Sequence, residues 1–352
     1  GILSFKNVLW ILGFWTILLF ITVELSLHHA PSPLNLSLPF CSQTQLSRIT
    51  EMLPTKSSLW QTRCPVPSWL NLEPLWLPEN SNQNLVALFV GCNKGYDAVN
   101  FLRRLSRDPR IKNAQWRNTS TMFGSSERGA CRQAHKQHTL ETHASLRPSS
   151  VHCIEAMPQT YETLKKSTKH LNWEQNLKVH HFAMSDSDGM VLFPDTGIGT
   201  EHLGMWSCKD SSINVSCTVV PQTSLDSFIS LPHVEPSIQS AIHFLSIDVE
   251  GNDWPVLKGA EMTLRKTKYL EFEYHRNGVW AHTNLSVAIN FLFSLHFVCY
   301  WAGNGKLWKI SNCFREEYND FKTWSNIACV NMVQAPELGD HMERIFIETV
   351  SF

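Results

Sequence analysis

From residue 85 onward, short apolar runs alternate with amphipathic stretches. "LVALFV" reads as a buried strand, and "YDAVNFLRRLSR" puts Val99, Leu102 and Leu105 on one helical face. "VHCIEA" is a second strand, followed by a helix over "PQTYETLKKSTKHL" with Pro158 near its start. "LKVHHFAMS" reads as a third strand and "IHFLSIDVEG" as a fourth, with "DWPVLKGAEMTLRK" as its helix. "KYLEFEYH" is a fifth strand, "NLSVAINFLFSLH" a further helix, and "FVCYWA" and "NIACVNM" close the sheet. Nearly continuous apolar strands separated by helices predict an α/β fold, with a mostly parallel sheet covered on both faces.

Two stretches break the alternation. Residues 106–150 are polar and basic, and residues 187–235 carry turn-like sequence around Cys208 and Cys217; both read as surface insertions. The expected organisation is an apolar anchor over 1–27, a proline- and serine-rich stem and an irregular cap over 28–80, the α/β domain over 81–335, and a tail over 336–352. The anchor rests on Val8–Val23, 16 residues without a charge between Lys6 and Glu24. That length is slightly short of the roughly 20 residues of a spanning helix, and a cleaved signal peptide is the alternative.

Composition narrows the setting. The 352 residues are 43% hydrophobic and carry a net charge of -1, which gives no reason to expect nucleic acid as a partner. Asn35, Asn118, Asn214 and Asn284 each begin an Asn-x-Ser/Thr sequon. Ten cysteines without a Cys-x-x-Cys pair suit an oxidising compartment, with Cys208 and Cys217 the best candidates for a disulfide. The expected location is the secretory pathway, in the Golgi or endoplasmic reticulum lumen, with the chain membrane-anchored or secreted. The sixteen histidines are scattered, and no metal site is expected.

Ligands of parallel α/β sheets bind outside the carboxyl ends of the strands, so those ends are where chemistry belongs. The first strand runs into Gly91-Cys92-Asn93-Lys94-Gly95, a turn that could cradle a ligand or simply lead into a helix. The second ends in Glu155, placed to accept ribose hydroxyls or to sit in solvent. The third leads to Ser185 and Asp186, and the fourth to Asp248 and Glu250, which strand alternation would put on one side. Two acids pointing together raise each other's pKa or hold a cation. The fifth brings Glu271, Glu273 and His275.

Together "VGCNKGYDAVNFL", "VHCIEAMPQTYETLKK", "HHFAMSDSDGMVLF", "TSLDSFI" and "FLSIDVEGNDWPVLKGAEMTL" resemble the FkbM family of S-adenosylmethionine-dependent methyltransferases, in the family's order, over about residues 85–300. The resemblance implies a Rossmann-like class I methyltransferase fold with a seven-stranded sheet. By position, Gly91, Asn93 and Gly95 would hold the methionine part of the cofactor, Glu155 its ribose, and Ser185 and Asp186 would border its adenine. Asp248, Glu250, Glu273 and His275 would face the acceptor, for which location and family suggest a glycan hydroxyl. The family's usual acid two residues before the first glycine is Phe89 here. The rival expectations are a Golgi glycosyltransferase with a metal at Asp248-x-Glu250, and a luminal methyltransferase-like protein without turnover.

Overall fold

The computed structural model describes residues 40–53, 61–78, 83–126, 145–201, 203–232, 234, 236–239 and 241–351. The strands are β1 (Leu85–Val90), β2 (Ser149–Ile154), β3 (Leu177–His180), β4 (Ala183–Ser185), β5 (Gly189–Pro194), β6 (Cys217–Ser224), β7 (Phe244–Ile247), β8 (Tyr269–Tyr274), β9 (Phe297–Ala302), β10 (Leu307–Lys309) and β11 (Ser325–Asn331). Eight of them form one sheet in the order β10-β9-β11-β8-β7-β1-β2-β3, and β4-β6-β5 form a small second sheet.

The large sheet corrects the expected seven strands. It is mixed: β3, β2, β1, β7 and β8 pair in parallel, whereas β11 is antiparallel to β8 and β9, and β10 is antiparallel to β9. The additional strand is β10, only three residues long and too short to show a period. β1 is an interior strand between β7 and β2, and its six residues are all buried. The N-terminal anchor expected at Val8–Val23 lies outside the described residues, and among the described residues no helix is long and apolar enough to cross a membrane.

The run expected as one third strand divides. β3 stays beside β2, while β4 leaves for the small sheet. The break falls at His181, whose ring stacks on Tyr161 with centroids 4.6 Å apart and whose Nε2 lies 3.0 Å from the Ala156 carbonyl. The helix expected over "DWPVLKGAEMTLRK" is likewise two, Asp253–Lys258 and Glu261–Arg265, parted at Gly259. A side chain at Gly259 would collide with the Ser185 carbonyl, so this glycine lets the helix lie against the end of β4.

Residues 106–150 are not all surface. They hold the helix Asn113–Met122, whose Trp116 is fully buried, stacks on Trp173 and donates Nε1–H to the Lys94 carbonyl at 2.9 Å. One tryptophan does most of the burying there, which is why no apolar period marks the helix. Ahead of β1, buried Trp69 and Trp76 flank Glu73, whose carboxylate meets Arg104, Arg107 and Arg147 at 3.5, 2.9 and 3.0 Å. Disulfides join Cys41 to Cys313, Cys92 to Cys153, Cys208 to Cys217 and Cys299 to Cys329. The pairing expected between Cys208 and Cys217 is therefore present.

Candidate functional site

Strand order reverses between β1 and β7, the place where ligands of such sheets bind, and a cavity opens there. One wall is the glycine turn. Gly91 has φ +82 and passes so close to the Asp248 carbonyl that any Cβ would collide with it. Gly95, at φ +74, is backed by Trp116 and Leu164, so it shapes the turn from behind and does not line the cavity. The Cys92–Cys153 disulfide ties the turn to β2.

Glu155 closes this wall. Its Oε2 accepts the backbone N–H of Asn93 and its Oε1 that of Met157, each at 2.8 Å. Burial pushes its carboxyl up to about 7 against the pull of these donors. Asn93 Oδ1 is buried with no protein partner. Phe182, Met184, Phe193, Leu203 and Met205 make up an apolar part of the lining. Asn252 also lines the cavity and donates Nδ2–H to the Met184 carbonyl at 2.9 Å. It follows directly on the "VEG" of the fourth strand's end, which is the one sequence signal that could have singled it out.

Ser185 and Asp186 are not part of the lining. Asp186 turns outward to Lys258 Nζ at 2.5 Å, and this hydrogen bond holds its carboxyl below the usual carboxylate range. The residues just before them, Phe182 to Met184, line the cavity instead, because β4 has left the main sheet. Phe89 is also absent from the lining. Its ring packs into the core against Phe101 and Phe244, with centroids 5.5 and 5.3 Å away.

Asp248 and Glu250 both line the cavity, though not by strand alternation, since β7 ends at Ile247. Glu250 is left-handed at φ 53, a conformation uncommon outside glycine. Trp206 Nε1–H donates to its carbonyl at 2.8 Å, and Gly204 approaches that carbonyl too closely to carry a side chain. Glu273, at the end of β8, interacts with Asp248, and Asp248 Oδ1 and Glu273 Oε2 are both buried without a hydrogen-bond partner. Burial, and after it the neighbouring acids, push both carboxyls well above their ordinary values. Two such groups in contact hold a proton between them. Asp253, which the sequence reading passed over, is fully buried beside them and is raised by burial to about 7.

Atoms of Glu250, Glu273 and His275 that could ligate a metal lie within 4.8 Å of one another. The histidine, however, is set up as a donor. Its Nδ1 accepts the Asn277 amide at 3.1 Å, so a neutral ring carries its hydrogen on Nε2, the atom 3.8 Å from Glu273 Oε2. A metal-bound imidazole donates from its second nitrogen, the reverse of this arrangement. Glu271 stands apart, accepting the Tyr269 hydroxyl at 2.6 Å.

Among protein families, residues 129–298 match the methyltransferase FkbM domain. The chain carries an FkbM methyltransferase domain. The matched FkbM span includes Glu155, Asp248, Glu250, Glu273 and His275 but starts beyond β1 and the glycine turn. The structure seats β1 between β2 and β7 of the FkbM sheet, so the turn and Glu155 face one cavity. No curated protein shows significant similarity to the chain.

Proposed function

We propose that the chain binds S-adenosylmethionine in this cavity and transfers its methyl group to a hydroxyl, on a glycan or another acceptor of the secretory pathway. The observation that carries the reading is the meeting of Gly91, Asn93, Glu155, Asp248 and Glu250 around one cavity at the strand-order reversal. The residues suit the cofactor. Glu155 retains lone pairs for ribose hydroxyls after accepting two amides, and Asn93 offers a buried oxygen with no protein partner. Phe182, Met184 and Phe193 give an apolar face for a base. When bound, the cofactor supplies an electrophilic methyl group.

The protein's part is placement and proton transfer. Holding two reactants in line contributes much of such a rate. Asp248, at the cavity wall and interacting with Glu273, belongs to a pair able to take the acceptor's proton, a role typically worth about 10²–10⁴-fold. His275 uses Nδ1 to accept the Asn277 amide, and its Nε2 lies 3.8 Å from Glu273 Oε2, beside the pair. The disulfides support an oxidising compartment as the place of action.

The test is transfer of label from methyl-tritiated S-adenosylmethionine to a panel of glycans and hydroxyl-bearing small molecules. Label in ether linkage, lost in Asp248→Asn, is expected. Label confined to amines or carboxylates would overturn the hydroxyl assignment.

A further inference from the structure

Trp324 lies outside the matched span, immediately before β11, and no motif points to it. Its backbone is left-handed, at φ 70. For a bulky side chain that is a genuine outlier, and such strain gathers at functional sites. The position delivers one hydrogen bond into the acid cluster: Nε1–H donates to Glu273 Oε1 at 3.2 Å.

The indole is held in place by several elements. It stacks on the His275 ring with centroids 4.8 Å apart, and the Arg63 guanidinium lies 5.7 Å over it. Arg63 is itself anchored by Asn326, whose Nδ2 donates to the Thr62 and Arg63 carbonyls at 3.2 and 3.1 Å. Asn326 is the residue paired with Glu273 across β8 and β11. Residues ahead of β1 and the reversed strand β11 thus converge on one carboxylate. The charged and titratable groups around Glu273 are Asp248, Glu250, Asp253 and His275. Glu250 and Asp253 repel a charge there; the indole N–H favours it.

We propose that Trp324 is a positioning residue, whose N–H holds Glu273 as the charged partner of Asp248 and so keeps the pair ready to take the acceptor's proton. This rests on the methyltransferase reading above. In the step served, the acceptor oxygen bonds to the methyl carbon while the carbon–sulfur bond breaks, leaving its electron pair on sulfur. The acceptor's proton passes to the singly ionised pair, which becomes neutral.

The experiment is an infrared titration of the buried carboxylic-acid carbonyl bands in the full chain. Wild type, Trp324→Phe and a chain carrying benzothienylalanine at 324 are compared, with Glu273→Gln to assign the pair's bands. Benzothienylalanine keeps the indole's shape without its N–H, so it stands in if phenylalanine does not fold. The midpoint of the pair should rise by roughly one pH unit when the N–H is lost, the scale of one hydrogen bond to a charged group. An unmoved midpoint in a folded variant would overturn the proposal. S-adenosylhomocysteine binding by the wild type is measured alongside. Its absence would sink the methyltransferase reading, while the titration still decides whether Trp324 governs the pair.

Discussion

Glu155 Oε2 accepts the backbone N–H of Asn93 at 2.8 Å, so the acid ending β2 and the glycine turn ending β1 are one unit. Glu155→Ala would strand the amides of Asn93 and Met157, at about 1–3 kcal/mol each if they stay buried. The expected outcome is a lower melting temperature and an S-adenosylhomocysteine affinity at least about tenfold weaker, a change of about 1.4 kcal/mol or more. Calorimetry that returns the wild-type affinity would remove Glu155 from the cofactor site.

The same turn is held covalently. Replacing Cys92 and Cys153 together by serine should cost about 2–4 kcal/mol in urea unfolding, the usual scale for a native disulfide. Because the bridge joins the turn to β2, cofactor affinity should weaken with it. The Cys208→Ser/Cys217→Ser pair serves as comparison, and an equal loss of affinity there would show that the Cys92–Cys153 position is not special.

Phe89 stands where the resemblance implies an acid, but its ring belongs to the core with Phe101 and Phe244. Phe89→Asp therefore forces a carboxylate among aromatic rings and removes a buried side chain. A stability loss of about 3–5 kcal/mol is expected, with no gain in S-adenosylhomocysteine affinity. Tighter binding in a stable Phe89→Asp protein would contradict the placement of this ring.

Glu155 and Glu271 have carboxyls raised by burial to about 7 from 4.5, and Asp253 to about 7 from 3.8. The folded chain thus binds protons that the unfolded chain has released. The stability linked to them is full below the unfolded values and is lost as pH rises through about 7. For Glu271, whose raised value comes chiefly from burial, Glu271→Gln should flatten the fall in unfolding free energy between about pH 4.5 and 7. The slope removed is at most about 1.4 kcal/mol per pH unit. Parallel wild-type and variant curves would count against a half-buried, protonated Glu271.

Much of this was legible in the chain because burial writes itself in apolar periods. β1, β2, β8 and β9 are long, apolar runs, and each stands where its pattern predicts. β10 and the helix around Trp116 escaped because three residues, or one tryptophan, carry too little pattern. Ser185 and Asp186 were misplaced because nothing local says that the chain changes sheet at His181. Asp248 and Glu250 do share the cavity, but a left-handed residue held by Trp206 brings them there, a long-range cause with no local signature. Trp324 was invisible for the same reason: its contact with Glu273 joins residues 51 apart in sequence.

The central claim is that the cavity between β1 and β7 holds S-adenosylmethionine. Calorimetric titration of the full chain with S-adenosylhomocysteine, in wild type and Glu155→Ala, tests it most directly. The account predicts one saturable site per chain in the wild type and a severe loss in the variant. No heat of binding from a correctly folded, disulfide-bonded wild type would contradict it.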